Sequence, residues 1–215
     1  MGKNFARLAF AGAAIFLILL AVLHVLEPEF DPSWRMISEY ELGAYGGMMQ
    51  IAFFSWGLGF IALAVALRPF MKNTGGRLGL ILLAAAGMMD IGAGIFITDP
   101  ITAPANAGTT AGLLHSVCGM SFIFGLPVVA TLICWGLAHD AAVIAERRQL
   151  IFITALPWLG LLAFFGAIII FAPSVNGYGP EALIGWPNRF MVVAYTAWLM
   201  IVAGFIGWPE KQPVG

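Results

Sequence analysis

Hydrophobic positions along this chain neither alternate with polar ones nor recur as a narrow helical stripe; they run on. Six nearly unbroken apolar stretches stand out, at residues 8–26, 44–67, 78–98, 111–137, 150–172 and 190–208. About 20 mainly apolar residues in an α-helix cross the hydrocarbon core of a bilayer. Each stretch therefore predicts one membrane-spanning helix. Membrane β-strands would alternate apolar and polar positions, so a barrel is not expected. Lys3 and Arg7 precede the first stretch as they would in a signal peptide. However, Ala21-Val22-Leu23-His24 offers no small-x-small cleavage site and five more spans follow, so we read it as a retained first helix.

Breakers separate the stretches. Arg68-Pro69 and Asn73-Thr74-Gly75-Gly76 divide spans two and three, Asp99-Pro100 through Gly108 divide three and four, and Ala172-Pro173 through Pro187-Asn188 divide five and six. Pro127 and Pro157 lie inside spans, where each removes one backbone donor and predicts a kink. Membrane helices tolerate such kinks.

Composition sharpens the class. Of 215 residues 61% are hydrophobic and 10% charged, and mean hydropathy is +0.94. A soluble domain carries about 25% charged residues, so a water-soluble enzyme and a disordered segment are excluded. A net charge of −1 with no basic run excludes a nucleic-acid partner. The expected fold is all-α, a polytopic membrane protein with a single six-helix transmembrane domain over residues 1–215. The few charges then give orientation. Lys3, Arg7, Arg68, Lys72, Arg77, Arg147, Arg148 and Lys211 fall on the side of both termini, and only Arg35 and Arg189 fall on the other. By the positive-inside rule both termini are expected in the cytoplasm. Glu27, Glu29, Asp31, Glu39, Glu41, Asp99 and Glu181 gather on the outer side. Trp34 and Trp186 mark the outer boundary, and Trp135 and Trp208 the inner one.

The candidate chemistry is equally one-sided. His139 and Asp140 at the inner boundary read as solvated, whereas hydrogen-bonding side chains converge on the outer end from five of the six helices or their flanks. Asp90 is the carboxylate set deep in a span, about 13 Å below the outer boundary by helical rise. Gly87 and Gly94 at i−3 and i+4 give it a small face for close packing. An ionisable group at such depth is a functional candidate, against the plainer reading of a protonated carboxyl joining two helices. His115 reads as a general base, a metal ligand or an interfacial residue bonded to an outer-loop carboxylate. Arg189 reads as a salt-bridge partner of Asp99 or Glu39, or as a fork for a ligand phosphate or carboxylate. Zinc would need three or four ligands. His24, His115, Asp99 and Glu39 could supply them, but without a tight spacing neither a metal nor another cofactor is expected. Cys118 and Cys134 lie about 24 Å apart on one helix, too far to bridge.

These residues resemble an uncharacterised family of bacterial six-helix membrane proteins, domain of unknown function 998. The similar features are His24 with Asp31-Pro32, Ile37-Ser38-Glu39-Tyr40 followed by Gly43 and Tyr45-Gly46, then Phe96 with Thr98-Asp99-Pro100, Gly112 with His115, and Gly185, Arg189 and Trp198. The resemblance implies a six-helix fold in a bacterial plasma membrane. It marks Ser38, Glu39, Asp99, His115 and Arg189 as a candidate site. Three functions compete. The first is an outward-facing pocket for a small polar or anionic ligand or a lipid headgroup. The second is a membrane-embedded hydrolase or lipid-modifying enzyme, with Ser38 as nucleophile, His115 as base and Asp99 or Glu39 orienting it. It lacks a Gly-x-Ser-x-Gly elbow. The third is a small proton-coupled transporter using Asp90. The bilayer is the expected partner, a lipid or small molecule the expected ligand, and a homo-oligomer remains open.

Overall fold

The computed structural model describes residues 2–104, 106–140, 147–171 and 178–208. Among them every regular element is helical. Six helices, α1 (Gly2–Leu26), α2 (Gly46–Leu67), α3 (Thr74–Ile95), α4 (Thr110–Leu137), α5 (Arg147–Phe171) and α6 (Gly185–Gly207), are joined by loops carrying two 3₁₀ segments, Ile37–Leu42 and Arg68–Phe70. All six are long and apolar enough to cross a membrane. The end of the fifth span at Ala172, Glu146 and Lys211 lie outside the described residues.

Helix α1 begins at Gly2, six residues before the apolar stretch, and the starts of α3 and α6 also differ from the hydropathy reading. The Asn73–Gly76 stretch, read as a breaker, instead opens α3. Asn73 is its N-cap, and the side-chain oxygen accepts from the Gly76 amide at 2.7 Å. Its glycines serve packing, since a Cβ on Gly76 would stand 2.7 Å from the Met71 sulfur and 3.4 Å from the Gly136 backbone. Helix α6 begins at Gly185 rather than Phe190. Pro187 falls in its first turn, where a missing N–H costs no intrahelical bond. Asn188 and Arg189 are thereby turned inward, and both are buried.

Each helix packs on its chain neighbours, and α6 returns to pack on α1. Small residues set the close crossings. A Cβ on Gly12 would strike the Ser55 carbonyl of α2, and Gly57 and Gly87 face each other so closely that a Cβ on either would meet the other's carbonyl. The interior is aromatic. Trp56 stacks on Phe16 at 4.2 Å and meets the Phe122 edge at 4.9 Å, above a layer containing Leu63, Leu83 and Leu126. Outward faces are apolar too, with Ile18, Ile81 and Ile169 exposed, which only a hydrocarbon solvent makes favourable. Pro127 cannot donate to the carbonyl of Ile123, four residues back. The Tyr195 hydroxyl of α6 donates to that carbonyl at 2.7 Å.

The two ends of the protein differ in charge. At the basic end, Arg7 donates to the Gly207 carbonyl at 3.3 Å and lies over the Trp208 ring. Asp140, expected to be solvated, is buried there and pairs with Lys72 at 2.7 Å. The acidic end carries the loop with Ile37–Leu42 and the loop between α3 and α4.

Candidate functional site

At the acidic end a single turn distributes the polar chemistry. Glu39 closes the start of the 3₁₀ segment by accepting from the Met36 amide at 3.2 Å, and the Asn188 side chain accepts from the Ile37 amide at 3.1 Å. A 3₁₀ helix has three residues per turn, so positions i and i+3 eclipse and three consecutive side chains leave in three directions. Glu39, Tyr40 and Glu41 do so. Ser38 shares the face of Glu41 by the same rule. The glycines of the motif make room: a Cβ on Gly43 would strike the Glu27 carboxylate, and one on Gly46 the Glu41 backbone.

Tyr40 turns towards α1 and α6. There the Arg189 guanidinium donates from Nη2 to the Tyr40 hydroxyl at 3.2 Å, from Nε to His24 Nε2 at 2.6 Å, and from Nη1 to the carbonyls of Arg35 at 2.6 Å and Gly185 at 3.2 Å. His24 Nδ1 in turn donates to the Leu20 carbonyl at 2.7 Å, which leaves Nε2 as the acceptor that Arg189 needs. Arg189 thus pairs with neither Asp99 nor Glu39. Its charge is spread over backbone carbonyls, and little of the fork is left for a ligand. Burial pushes the Tyr40 hydroxyl up from its ordinary range, against the pull of Arg189.

Glu39 and Asp99 are clamps. Glu39 Oε1 pairs with Arg35 at 3.0 Å and accepts from the Ile101 amide at 2.9 Å, tying the first loop to the loop after α3. Burial raises its carboxyl above the usual range, opposed by the Ile101 amide and then by Arg35. Asp99 accepts from the Thr109 amide and hydroxyl, both at 2.8 Å, and Thr109 caps α4 through the Gly112 amide. A side chain on Gly112 would occupy the Asp99 carboxylate's place. The Ser38 side chain is half-buried and hydrogen-bonds neither His115 nor any other described residue.

Glu41 turns to α3 and α4. Its Oε2 accepts from the Thr98 amide at 3.1 Å and lies 3.4 Å from His115 Nδ1. That nitrogen also faces the carbonyls of Ala93 at 2.9 Å and Phe96 at 2.8 Å. Three oxygens around Nδ1 fix the proton there and leave Nε2 uncommitted. His115 is therefore bonded at an outer-loop carboxylate, but the carboxylate is Glu41, not Asp99 or Glu39. Glu41 Oε1 has no partner, although the side chain is fully buried. Deeper on the same α3 face as Ala93, Asp90 is 2% exposed and likewise unpartnered. Asp90 is also level with the stretch of α2 carrying Phe53 and Trp56, because Gly87 packs on Gly57 and Gly94 on Phe53. The buried Trp56 Nε1 lacks a partner as well.

The 3₁₀ turn therefore joins two networks, Arg189 with His24 and Tyr40, and His115 with Glu41, while Glu39 and Asp99 clamp loops, the Ser38 side chain is bonded to neither, and Asp90 lies unpartnered deeper on the α3 face that His115 touches. His24 and His115 are not brought together. Cys118 and Cys134 are free, and Cys134 accepts from the Trp198 indole at 3.4 Å. Sequence reasoning passed over Tyr40, Glu41, Trp56 and Asn188. The Ser38–Glu41 spacing of three, read as one 3₁₀ face, would have singled out Glu41.

A pH dependence follows. Burial pushes the Glu41 carboxyl up from 4.5 to about 8, with the Thr98 amide opposing. The folded protein thus holds a proton that the unfolded chain releases above about 4.5. Stability from this group is full below that value and is lost as pH rises through about 8. Melting temperature in detergent is expected to fall across this window for wild type, and Glu41→Gln should flatten the fall. An unchanged slope in the variant would exclude Glu41 as its source.

No curated protein and no solved structure matches the chain. Residues 10–204 match the family described as protein of unknown function (DUF998). That match spans the first helix to the last, including every residue of both networks, and so the chain belongs to the DUF998 family.

Proposed function

We propose that this protein is an outward-facing binding protein of the bacterial plasma membrane, with both termini in the cytoplasm and the acidic end outside. A small polar molecule, or the polar end of a lipid, enters past Ser38 and is met by His115 Nε2 and Glu41 Oε1, with Asp90 at the floor. One observation carries this reading. Arg189, Glu39 and Asp99 are bonded to their own protein, whereas Glu41, which meets His115, keeps Oε1 unpartnered, and the unpartnered Asp90 lies deeper on the α3 face that His115 touches; at this end Glu27 Oε2 and Arg35 Nε are also without a partner. Buried polar groups normally find partners, and those left over mark where a ligand supplies them. The lining is acidic and aromatic, which favours a hydrogen-bond donor or an amine over an anion. Below Asp90 the apolar layer of Phe60, Leu63, Leu83 and Leu126 closes the interior, which supports binding from one side over transport. The hydrolase reading loses both acids it drew on to orient His115, since Asp99 holds Thr109 and Glu39 holds Arg35.

A thermal-shift screen of small amines, amides and polyols on the purified protein tests the proposal. Stabilising hits are expected for wild type and should vanish in His115→Ala and Glu41→Gln, while Ser38→Ala weakens them. Hits that survive both substitutions would place binding elsewhere, and the reading would fall.

A further inference from the structure

His115 and Glu41 are both buried, so the corner they form is shut, and some part of its cover must move before anything reaches it. We propose that the stretch Thr98–Ile101, near the start of the loop between α3 and α4, is a gate over His115, latched to the first loop by the carboxylates of Glu39 and Glu41 and opened when both let go. The inference rests on the reading that this corner binds a ligand from outside, and it names the element that controls entry.

Hydrogen bonding and packing single out this stretch. The first loop is stapled down along its length. Phe30, Ile37 and Tyr40 are buried in the core, the Ile37 amide donates to Asn188 of α6, and the Gly185 amide donates to the Ser33 carbonyl. Arg189 holds Tyr40, and Glu27 holds the Tyr45 amide. By contrast, none of residues 96–104 is buried, and Ile97 is 44% exposed. Among the described residues no backbone–backbone bond joins the two loops. What joins them is a pair of side chains from one turn: Glu41 Oε2 accepts from the Thr98 amide at 3.1 Å, and Glu39 Oε1 from the Ile101 amide at 2.9 Å. Segments with few buried apolar contacts open more readily than the core they lie on. The pivots lie on either side. Towards α3 the Phe96 carbonyl faces His115 Nδ1, and towards α4 Asp99 holds Thr109, so the stretch swings with its loop intact. Glu41 Oε2 also lies 3.4 Å from His115 Nδ1, so a ligand that engages Glu41 draws on the carboxylate that latches Thr98. Entry and latch are thereby coupled.

Histidine labelling of the full chain in lipid nanodiscs, with diethylpyrocarbonate as the probe, tests this. The reagent needs a ring nitrogen with a free lone pair. His139 is exposed and spends only Nδ1, on the Trp135 carbonyl; His115 Nε2 is uncommitted but covered; His24 Nε2 is taken by Arg189, away from the gate. Labelling read residue by residue in a mass spectrometer is expected to be fast at His139, slower at His115 and slowest at His24. Glu39→Gln removes the charge from one latch and leaves His115 and Glu41 in place. It should speed labelling of His115 about tenfold, because a neutral acceptor holds an amide less firmly than a charged one, and leave His24 unchanged. An unmoved His115 rate, or a His24 rate that rises in step with it, overturns the proposal. Hydrogen exchange on wild type needs no variant. The Thr98 and Ile101 amides should exchange together, about tenfold or more faster than the Ile37 amide in the stapled loop. Equal protection of all three would mean that the corner opens only as a whole, and also overturns the proposal. Loss of screening hits with these rates as expected would sink the ligand reading and support the gate, and surviving hits with the corner opening as a whole would sink the gate only.

Discussion

Replacing Arg189 by alanine is expected to destabilise the protein by about 3 kcal/mol or more, since several buried acceptors lose their donor and each unpaired one costs about 1–3 kcal/mol. The cause is what remains behind. The carbonyls of Arg35 and Gly185, the Tyr40 hydroxyl and His24 Nε2 all lose their donor inside the protein, where water does not replace it. Lysine should rescue little, because a point charge cannot reach groups arranged around a planar fork. Melting temperature and detergent-exchange lifetime are the measurements. An Arg189→Ala protein that melts with wild type would show that these bonds contribute nothing net. The same experiment separates structure from ligand chemistry, since the binding proposal assigns the ligand to His115 and Glu41 rather than to Arg189.

Gly185→Ala is the second large effect, about 3 kcal/mol, at the upper end of what overpacking costs. A Cβ there would point into the backbone of the first loop, at the Pro32 and Arg35 carbonyls and, at 2.7 Å, the Trp34 amide. Main chain has no rotamer with which to yield, so the loop or the start of α6 must shift. Both moves pull the Arg35 carbonyl away from Arg189. The two substitutions are therefore coupled, and the double variant should lose less than the sum of the single ones. Strict additivity in melting experiments would show that the loop and the guanidinium are independent.

The helices were legible because each requires only length and hydropathy. The third and sixth span starts were not, and for opposite reasons. Asn73-Thr74-Gly75-Gly76 reads locally as a turn, but Met71, Trp135 and Gly136 lie so close that only glycines fit in that first helical turn. Gly185-Trp186-Pro187 reads as a loop, yet proline is at home where a helix has no bonds to lose. In the site, the right residues were legible and their partners were not. His115, Asp90 and Arg189 stand out from any apolar background. Which acid reaches which base depends on the three-way divergence of a 3₁₀ turn, and a run reading Ser38-Glu39-Tyr40-Glu41 gives no sign of it until the backbone is known. Glu39 looked like the site carboxylate because it is flanked by the motif, but its oxygens are spent on Met36, Arg35 and Ile101. Glu41 looked ordinary and carries the freedom.

That turn also has an evolutionary consequence. Surface loops usually absorb inserted or deleted residues with little harm. Here, inserting one residue within Ile37–Leu42 would advance everything after it by a third of a turn. The side chain meant for α6 would then face the α3–α4 loop, and each later one would be displaced in the same sense. Individual side chains in this loop can drift, Leu42 most freely because it stands 37% exposed with no clamp to hold. The number of residues cannot. Across descendants of this sequence, the stretch from Met36 to Gly43 should vary in spelling while remaining constant in length.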